Sequence, residues 1–211
     1  DSVFNTMTLD EKIGQLFMVA AYSDPKQDNE EAVKKLITES HIGGVIFFKG
    51  SPIRQAQMTN TFQSLAKIPL SVAIDGEWGL AMRLDSTIAF PRQLQLGAID
   101  EKNEYLIEEM GREVGRECER IGIHINFAPV VDINNNPQNP VINTRSFGEE
   151  KENVARKSLL YMKGMQSHYI LTTAKHFPGH GNTASDSHYT LPLIKGTKDE
   201  IDKFELYPFK Q

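Results

Sequence analysis

Fourteen residues, Lys175-His176-Phe177-Pro178-Gly179-His180-Gly181-Asn182-Thr183-Ala184-Ser185-Asp186-Ser187-His188, hold three of the six histidines together with a lysine and an aspartate. Asp186 and His188 stand two positions apart. In a bending loop that spacing lets the carboxylate bond one ring nitrogen while the other faces a substrate, which fixes the tautomer and raises the ring's basicity. Histidine titrates near neutrality, so such a pair can give a proton to a departing oxygen and later take one from water. The same pair on a surface loop would only steady it, and the two residues alone do not separate these readings. His176, His180 and His188 offer a ligand set as well. Their spacing matches no zinc signature, with no His-x3-His helix and no cysteine pair, so neither metal nor cofactor is expected.

Other polar residues fall at the ends of apolar runs. Asp75 follows Leu70 to Ile74 and precedes a glycine, so its carboxylate is expected to sit exposed, accepting two hydroxyls or capping a turn. Arg145 closes a loop rich in Asn and Pro, Asn134 to Asn143. Its guanidinium fork suits hydroxyls or a carboxylate, with a surface pair to Glu149 or Glu150 as the plainer role. Asp132, after Phe127 to Val131, is expected to bond backbone groups of the loop that follows it. His180, between two glycines, is expected to shape its loop. His41, His124 and His168 carry no motif.

The elements that must position these residues alternate. Thr8-Leu9-Asp10-Glu11 and Thr197-Lys198-Asp199-Glu200 are capping boxes that open helices. Ser51 followed by Pro52 opens another, running to about Lys67. Helices are further expected at Glu30 to Glu39 with Val33, Leu36 and Ile37 inward, at Asn103 to Arg120 with Leu106, Met110, Val114 and Cys118 inward, and at Glu152 to Gln166. Strands are expected at Leu16–Ala21, Val45–Phe48, Leu70–Ile74, Ile123–Val131 and Tyr169–Lys175. Buried strands separated by helices imply a parallel sheet. The polar candidates then follow strand ends, the edge where barrel enzymes carry their chemistry.

KHFPGHGNTASDSH resembles the signature of glycoside hydrolase family 3, in its β-N-acetylglucosaminidase branch. Ala73-Ile74-Asp75-Gly76-Glu77-Trp78-Gly79, Asn126 to Asp132 and Arg145-Ser146-Phe147-Gly148 extend the likeness in the expected order over nearly the whole chain. The resemblance implies an α/β fold of (β/α)8 TIM-barrel type, of which 1–211 supplies about the first five βα units with no internal boundary. It implies a retaining glycosidase that removes terminal β-linked N-acetylglucosamine from peptidoglycan-type or chitin-type saccharides. Asp186 and His188 would be the acid/base dyad, and Asp75, Arg83, Arg145, Lys175 and His176 would grip the sugar. The family's nucleophile falls beyond the region matching Gln211, so a polypeptide ending there is expected to be inactive and to self-associate through open strand edges. Trp78 stands where the family pattern has glycine, and reads as a sugar platform or as core or rim packing. A β-glucosidase-like or phosphorolytic enzyme and a non-catalytic saccharide-binding module are the alternatives.

Bulk properties fit one large domain of 211 residues. The hydrophobic content of 39% suffices for a core, and a net charge of -5 leaves no basic footprint for nucleic acid. No apolar run approaches the ~20 residues that span a bilayer. The single cysteine, Cys118, rules out an internal disulfide and is expected to be buried. The chain begins at Asp1 without Met, so an upstream export signal is expected over a cytoplasmic location.

Overall fold

The computed structural model of the chain describes residues 2–184, 192–194 and 196–211. Two short helices, α1 (Ser2–Thr6) and α2 (Leu9–Gly14), lead into β1 (Met18–Ser23). Then follow α3 (Glu30–Ser40), β2 (Gly44–Gly50), α4 (Pro52–Leu65) and β3 (Ser71–Ile74). The second half contains α5 (Gln93–Gly97), α6 (Tyr105–Arg120), β4 (Ile125–Asn126), α7 (Lys151–Gln166), β5 (Leu171–Thr172), α8 (Lys198–Lys203) and α9 (Tyr207–Lys210). The strands form one parallel sheet in the order β1-β2-β3-β4-β5. Sequential order, all-parallel pairing and intervening helices are those of the consecutive units of a TIM-type barrel. Val45 pairs with Val19 on one side and Val72 on the other, and Ile125 pairs with Ala73 and Leu171.

Both capping boxes form. Thr8 Oγ1 accepts from the Glu11 amide at 3.2 Å while Glu11 Oε2 accepts from the Thr8 amide at 2.8 Å. Thr197 and Glu200 repeat the exchange at 3.3 and 2.7 Å. Ser51 caps α4 through the Arg54 amide, with Pro52 in the first turn, where its missing N–H costs nothing.

Between sheet and helices lies a core of Val45, Phe47, Phe62, Ile74, Ile107, Val114 and Tyr161, with Phe47 stacked on Phe62 at 6.4 Å between centroids. Each of the valine, isoleucine and phenylalanine side chains contributes about 1.5–3 kcal/mol on burial. Against α7, α6 packs closely because glycines face glycines. A Cβ at Gly111 would collide with the Tyr161 carbonyl, and one at Gly164 with that of Glu108. Cys118 is buried as expected.

Several expectations need correction. The inner residue near the start of α6 is Ile107, while Leu106 is 47% exposed, and Leu36 is 37% exposed on α3. The helical stripe is thus narrower than the apolar pattern suggests. The run from Ile123 to Val131 is not one strand. Pro129 has no N–H to give a ladder, so regular pairing stops at Asn126 and resumes as a single bridge between Val130 and Lys175. The run Tyr169–Lys175 is likewise reduced to two ladder residues. It is not a buried strand, because Leu171 is 64% exposed at the sheet's edge. At the other edge Leu16 and Phe17 precede β1 rather than join it, and both are exposed. Among the described residues no helix is long and apolar enough to cross a membrane.

Candidate active site

The site begins with one side chain on β4. Asn126 Oδ1 accepts from the Gly76 amide at 2.9 Å, and its Nδ2 donates to the Gly76 carbonyl at 3.1 Å. This double bond holds the backbone leaving β3, and so the carboxylates on either side of Gly76. Asp75 meets two cations. Arg83 pairs with its Oδ2 and donates from Nε to its carbonyl at 2.9 Å, while Lys175 Nζ donates to Oδ1 at 2.6 Å. The expected exposed carboxylate is therefore half-enclosed, because its own loop returns Arg83 over it.

Glu77 is fully buried. Lys175 Nζ lies 2.7 Å from its Oε1, and Arg145 donates to it twice, from Nη2 at 2.6 Å and Nε at 2.8 Å. Burial alone pushes this carboxyl upward. The Arg145 hydrogen bonds and the Lys175 charge outweigh burial and bring it down to about 2. Burial disfavours the charge on Arg145, but its bonds to Glu77 prevail and raise its pKa. Arg145 thus pairs with Glu77 and not with Glu149 or Glu150. Its Nη1 donates to the Val141 carbonyl at 3.1 Å, which ties the guanidinium to its own loop.

The chain continues through the ring after Lys175. Arg145 Nη2 lies 3.3 Å from His176 Nε2, and His176 Nδ1 lies 2.6 Å from Asp132 Oδ2. Asp132 also accepts from the backbone amides of His176 and His180. It was expected to hold the loop that follows it. Instead it holds the loop after β5, since Val131 and Lys175 are already joined there by a 2.7 Å backbone bond. His180 is buried in that loop, with its carbonyl accepting from Asn139 Nδ2 at 2.7 Å and Nδ1 lying 2.6 Å from Thr183 Oγ1.

The structure therefore brings Asp75, Arg83, Arg145, Lys175 and His176 into one network at the strands' C-terminal ends. Asp186 and His188 lie outside the described residues. Trp78 is half-buried with the Arg92 guanidinium 3.8 Å from its ring centre, so one face is already covered. Among the described residues no cluster of His, Cys, Asp or Glu could hold a metal. A cavity of 860 Å³ between α4 and α6, lined by Pro52, Ile53, Ile88 and Ile121 among others, shares no residue with the network.

Sequence reasoning missed Glu77 and Asn126. A signal for Glu77 existed: the expected sugar-binding set held three cations, Arg83, Arg145 and Lys175, against one carboxylate, Asp75, and cations taken out of water need anionic partners. Chemically the network presents fixed hydrogen-bond donors and one half-open carboxylate, a surface suited to a polyhydroxylated ring.

Residues 8–211 match the Glycosyl hydrolase family 3 N terminal domain. Beta-hexosaminidase A of Pseudoalteromonas piscicida is 37% identical over 190 residues, covering 85% of this chain and 32% of that protein. Among solved structures, a glycoside hydrolase family 3 beta-N-acetylglucosaminidase from Paenibacillus sp. str. FPU-7 superposes with a TM-score of 0.86. It is 37% identical, over 97% of this chain and 40% of that one. The beta-glucoside phosphorylase BglX bound to 2FGlc superposes at 0.91 with 25% identity, over 99% of this chain and 37% of that one. The chain spans about a third to about half the length of the curated relatives it matches.

Proposed function

The chain belongs to glycosyl hydrolase family 3, and on that premise we propose that it carries the sugar-gripping part of a glycosidase site for terminal β-linked N-acetylglucosamine. One observation carries the reading: Asp75, braced by Arg83 and Lys175, shares a single network with Arg145 and His176 at the sheet's C-terminal edge. A half-open carboxylate accepts ring hydroxyls, and the surrounding cations hold its orientation, so the sugar meets a preorganised surface.

Cleavage needs a proton for the leaving oxygen and a nucleophile for the anomeric carbon. In this reading His188 gives the proton and Asp186 holds its ring, on the sequence argument alone. The mechanism is retaining, through a covalent glycosyl–enzyme that water resolves, with the histidine then acting as base. Glu77 and Asp132 are unsuited to nucleophilic attack because each is fully buried and bonded to its own scaffold. The nucleophile is assigned to sequence following Gln211. The saccharide is an amino-sugar glycan of peptidoglycan or chitin type, in line with the hexosaminidase relatives.

Full-length protein assayed on aryl β-N-acetylglucosaminide and aryl β-glucoside, each with and without phosphate, tests the proposal. Faster turnover of the aminosugar, unaffected by phosphate, is expected. The fit to a β-glucoside phosphorylase makes phosphate the informative addition. A phosphate-dependent rate or a preferred glucoside overturns the assignment.

A further inference from the structure

Asp132 is fully buried, so a sugar cannot reach it, yet both its oxygens serve the segment that starts at His176. Oδ2 lies 2.6 Å from His176 Nδ1 and accepts from the His176 amide at 3.2 Å. Oδ1 accepts from the His180 amide at 2.7 Å and shares the His176 amide at 3.3 Å. Backbone amides only donate, and an ionised carboxylate only accepts, so the ring hydrogen sits on Nδ1. Across the ring, Nε2 faces Arg145 Nη2 at 3.3 Å. A guanidinium has donors and no acceptor, so Nε2 offers its lone pair. Both neighbours demand the same form of the ring: neutral, with hydrogen on Nδ1. An imidazolium would turn an N–H toward the N–H of Arg145.

We propose that Asp132 is a positioning residue that fixes His176 as a hydrogen-bond acceptor toward one ring hydroxyl of the saccharide. The identity of the ligand rests on the function proposed above; the state of the ring does not. His176 keeps 36% of its side chain exposed, which leaves an edge for a ligand. A hydroxyl arriving there takes the place of Arg145 Nη2 at Nε2, gives its hydrogen to the lone pair so freed, and receives one from a cationic neighbour, Arg145 or Lys175. The pair then reads a hydroxyl by both its faculties, donor and acceptor. Fluorine, which only accepts, satisfies half of that pattern, and hydrogen satisfies none.

The test uses the full-length protein with 15N-labelled histidine rings, free of ligand at neutral pH, with His176 assigned by comparison with His176→Gln. The expected spectrum shows a protonated Nδ1 and a lone-pair Nε2. In Asp132→Asn the amide supplies a donor beside Nδ1, and the hydrogen is expected to move to Nε2. A wild-type ring protonated on Nε2, protonated on both nitrogens or averaging between tautomers overturns the proposal, as does an unchanged tautomer in a folded Asp132→Asn. If that variant does not fold, the wild-type spectrum decides alone. A second measurement uses N-acetylglucosamine analogues with one hydroxyl replaced by fluorine or by hydrogen. At the position whose effect His176→Ala abolishes, the fluoro analogue is expected to bind wild type on the order of 10-fold more weakly than its parent, and the deoxy analogue more weakly still. A fluoro analogue that binds as well as its parent shows a donating ring and overturns the proposal. Should no aminosugar bind at all, the functional reading falls while the ring spectrum still decides the role of Asp132.

Discussion

Arg145 clasps Glu77 through two parallel hydrogen bonds, Nη2 at 2.6 Å and Nε at 2.8 Å, across 68 positions of sequence. The pair locks the loop before α7 to the end of β3, and Lys175 closes the triangle from β5's side.

Glu77 should leave a signature in acid. Its folded carboxyl titrates near 2, below the ordinary 4.5, so the stabilisation is complete above about pH 4.5 and lost as pH falls toward 2. The shift corresponds to about 3 kcal/mol. Glu77→Gln should be less stable than wild type at neutral pH, and the gap should close between about pH 4.5 and 2. Chemical denaturation at stepped pH measures it; a constant gap would remove Glu77 from the account.

Arg145→Lys should fold and fail as an enzyme. A single ammonium cannot hold both Glu77 oxygens, the Val141 carbonyl and the His176 ring together. Misplacement of gripping groups by about 1 Å costs about 10²-fold in rate. The full-length variant should lose that much in kcat/KM with a wild-type far-UV spectrum. Retention of activity within a factor of two would show that the fork has no role.

His188→Ala in the full-length protein should slow poor leaving groups by about 10²–10⁴-fold. A strongly acidic phenol leaves with little protonation and should suffer less in its glycosylation step. Asp186→Asn should give a milder form of the same trend. Equal slowing of good and poor leaving groups would end the assignment of His188 as proton donor.

Gly164→Val should destabilise by about 1–3 kcal/mol through overpacking of α6 on α7. The added methyls meet the backbone around Glu108 and Arg112, which cannot rotate away. A melting curve that overlays wild type would contradict the close approach of these helices.

The alternation of elements was legible because each signal was local. Capping boxes at Thr8 and Thr197, the Ser51-Pro52 start and the apolar runs before Asp75 and Lys175 all lie within a few residues of what they specify. The five residues expected to grip a sugar were legible through motif likeness, and the structure gathers them into one network. What escaped was non-local. Glu77 looked like one more charge in a loop until Arg145 and Lys175 arrived from distant units. Asp132 was assigned to its own loop because sequence proximity is a poor guide once Val131 is bonded to Lys175. The expected lengths of β4 and β5 erred because apolar content specifies burial and not a ladder, and Pro129 interrupts the ladder without interrupting the apolar run.

Asn126 and Gly76 are fifty residues apart, and their reciprocal amide bonds set an order of assembly. A ribosome delivers Gly76 well before Asn126. Until the fourth unit emerges and docks, the Gly76 amide must be satisfied by water, while its carbonyl has only the local bond from the Gly79 amide at 3.2 Å. The arm bearing Asp75 and Glu77 therefore leaves synthesis pliable, and hardens only when a later strand hands it an amide. The closure that joins β3 to β4 spans more chain than those that join β1 to β2 and β2 to β3, and so costs more entropy. The network around Asp75 and Glu77 is thus complete only once β4 has joined the sheet.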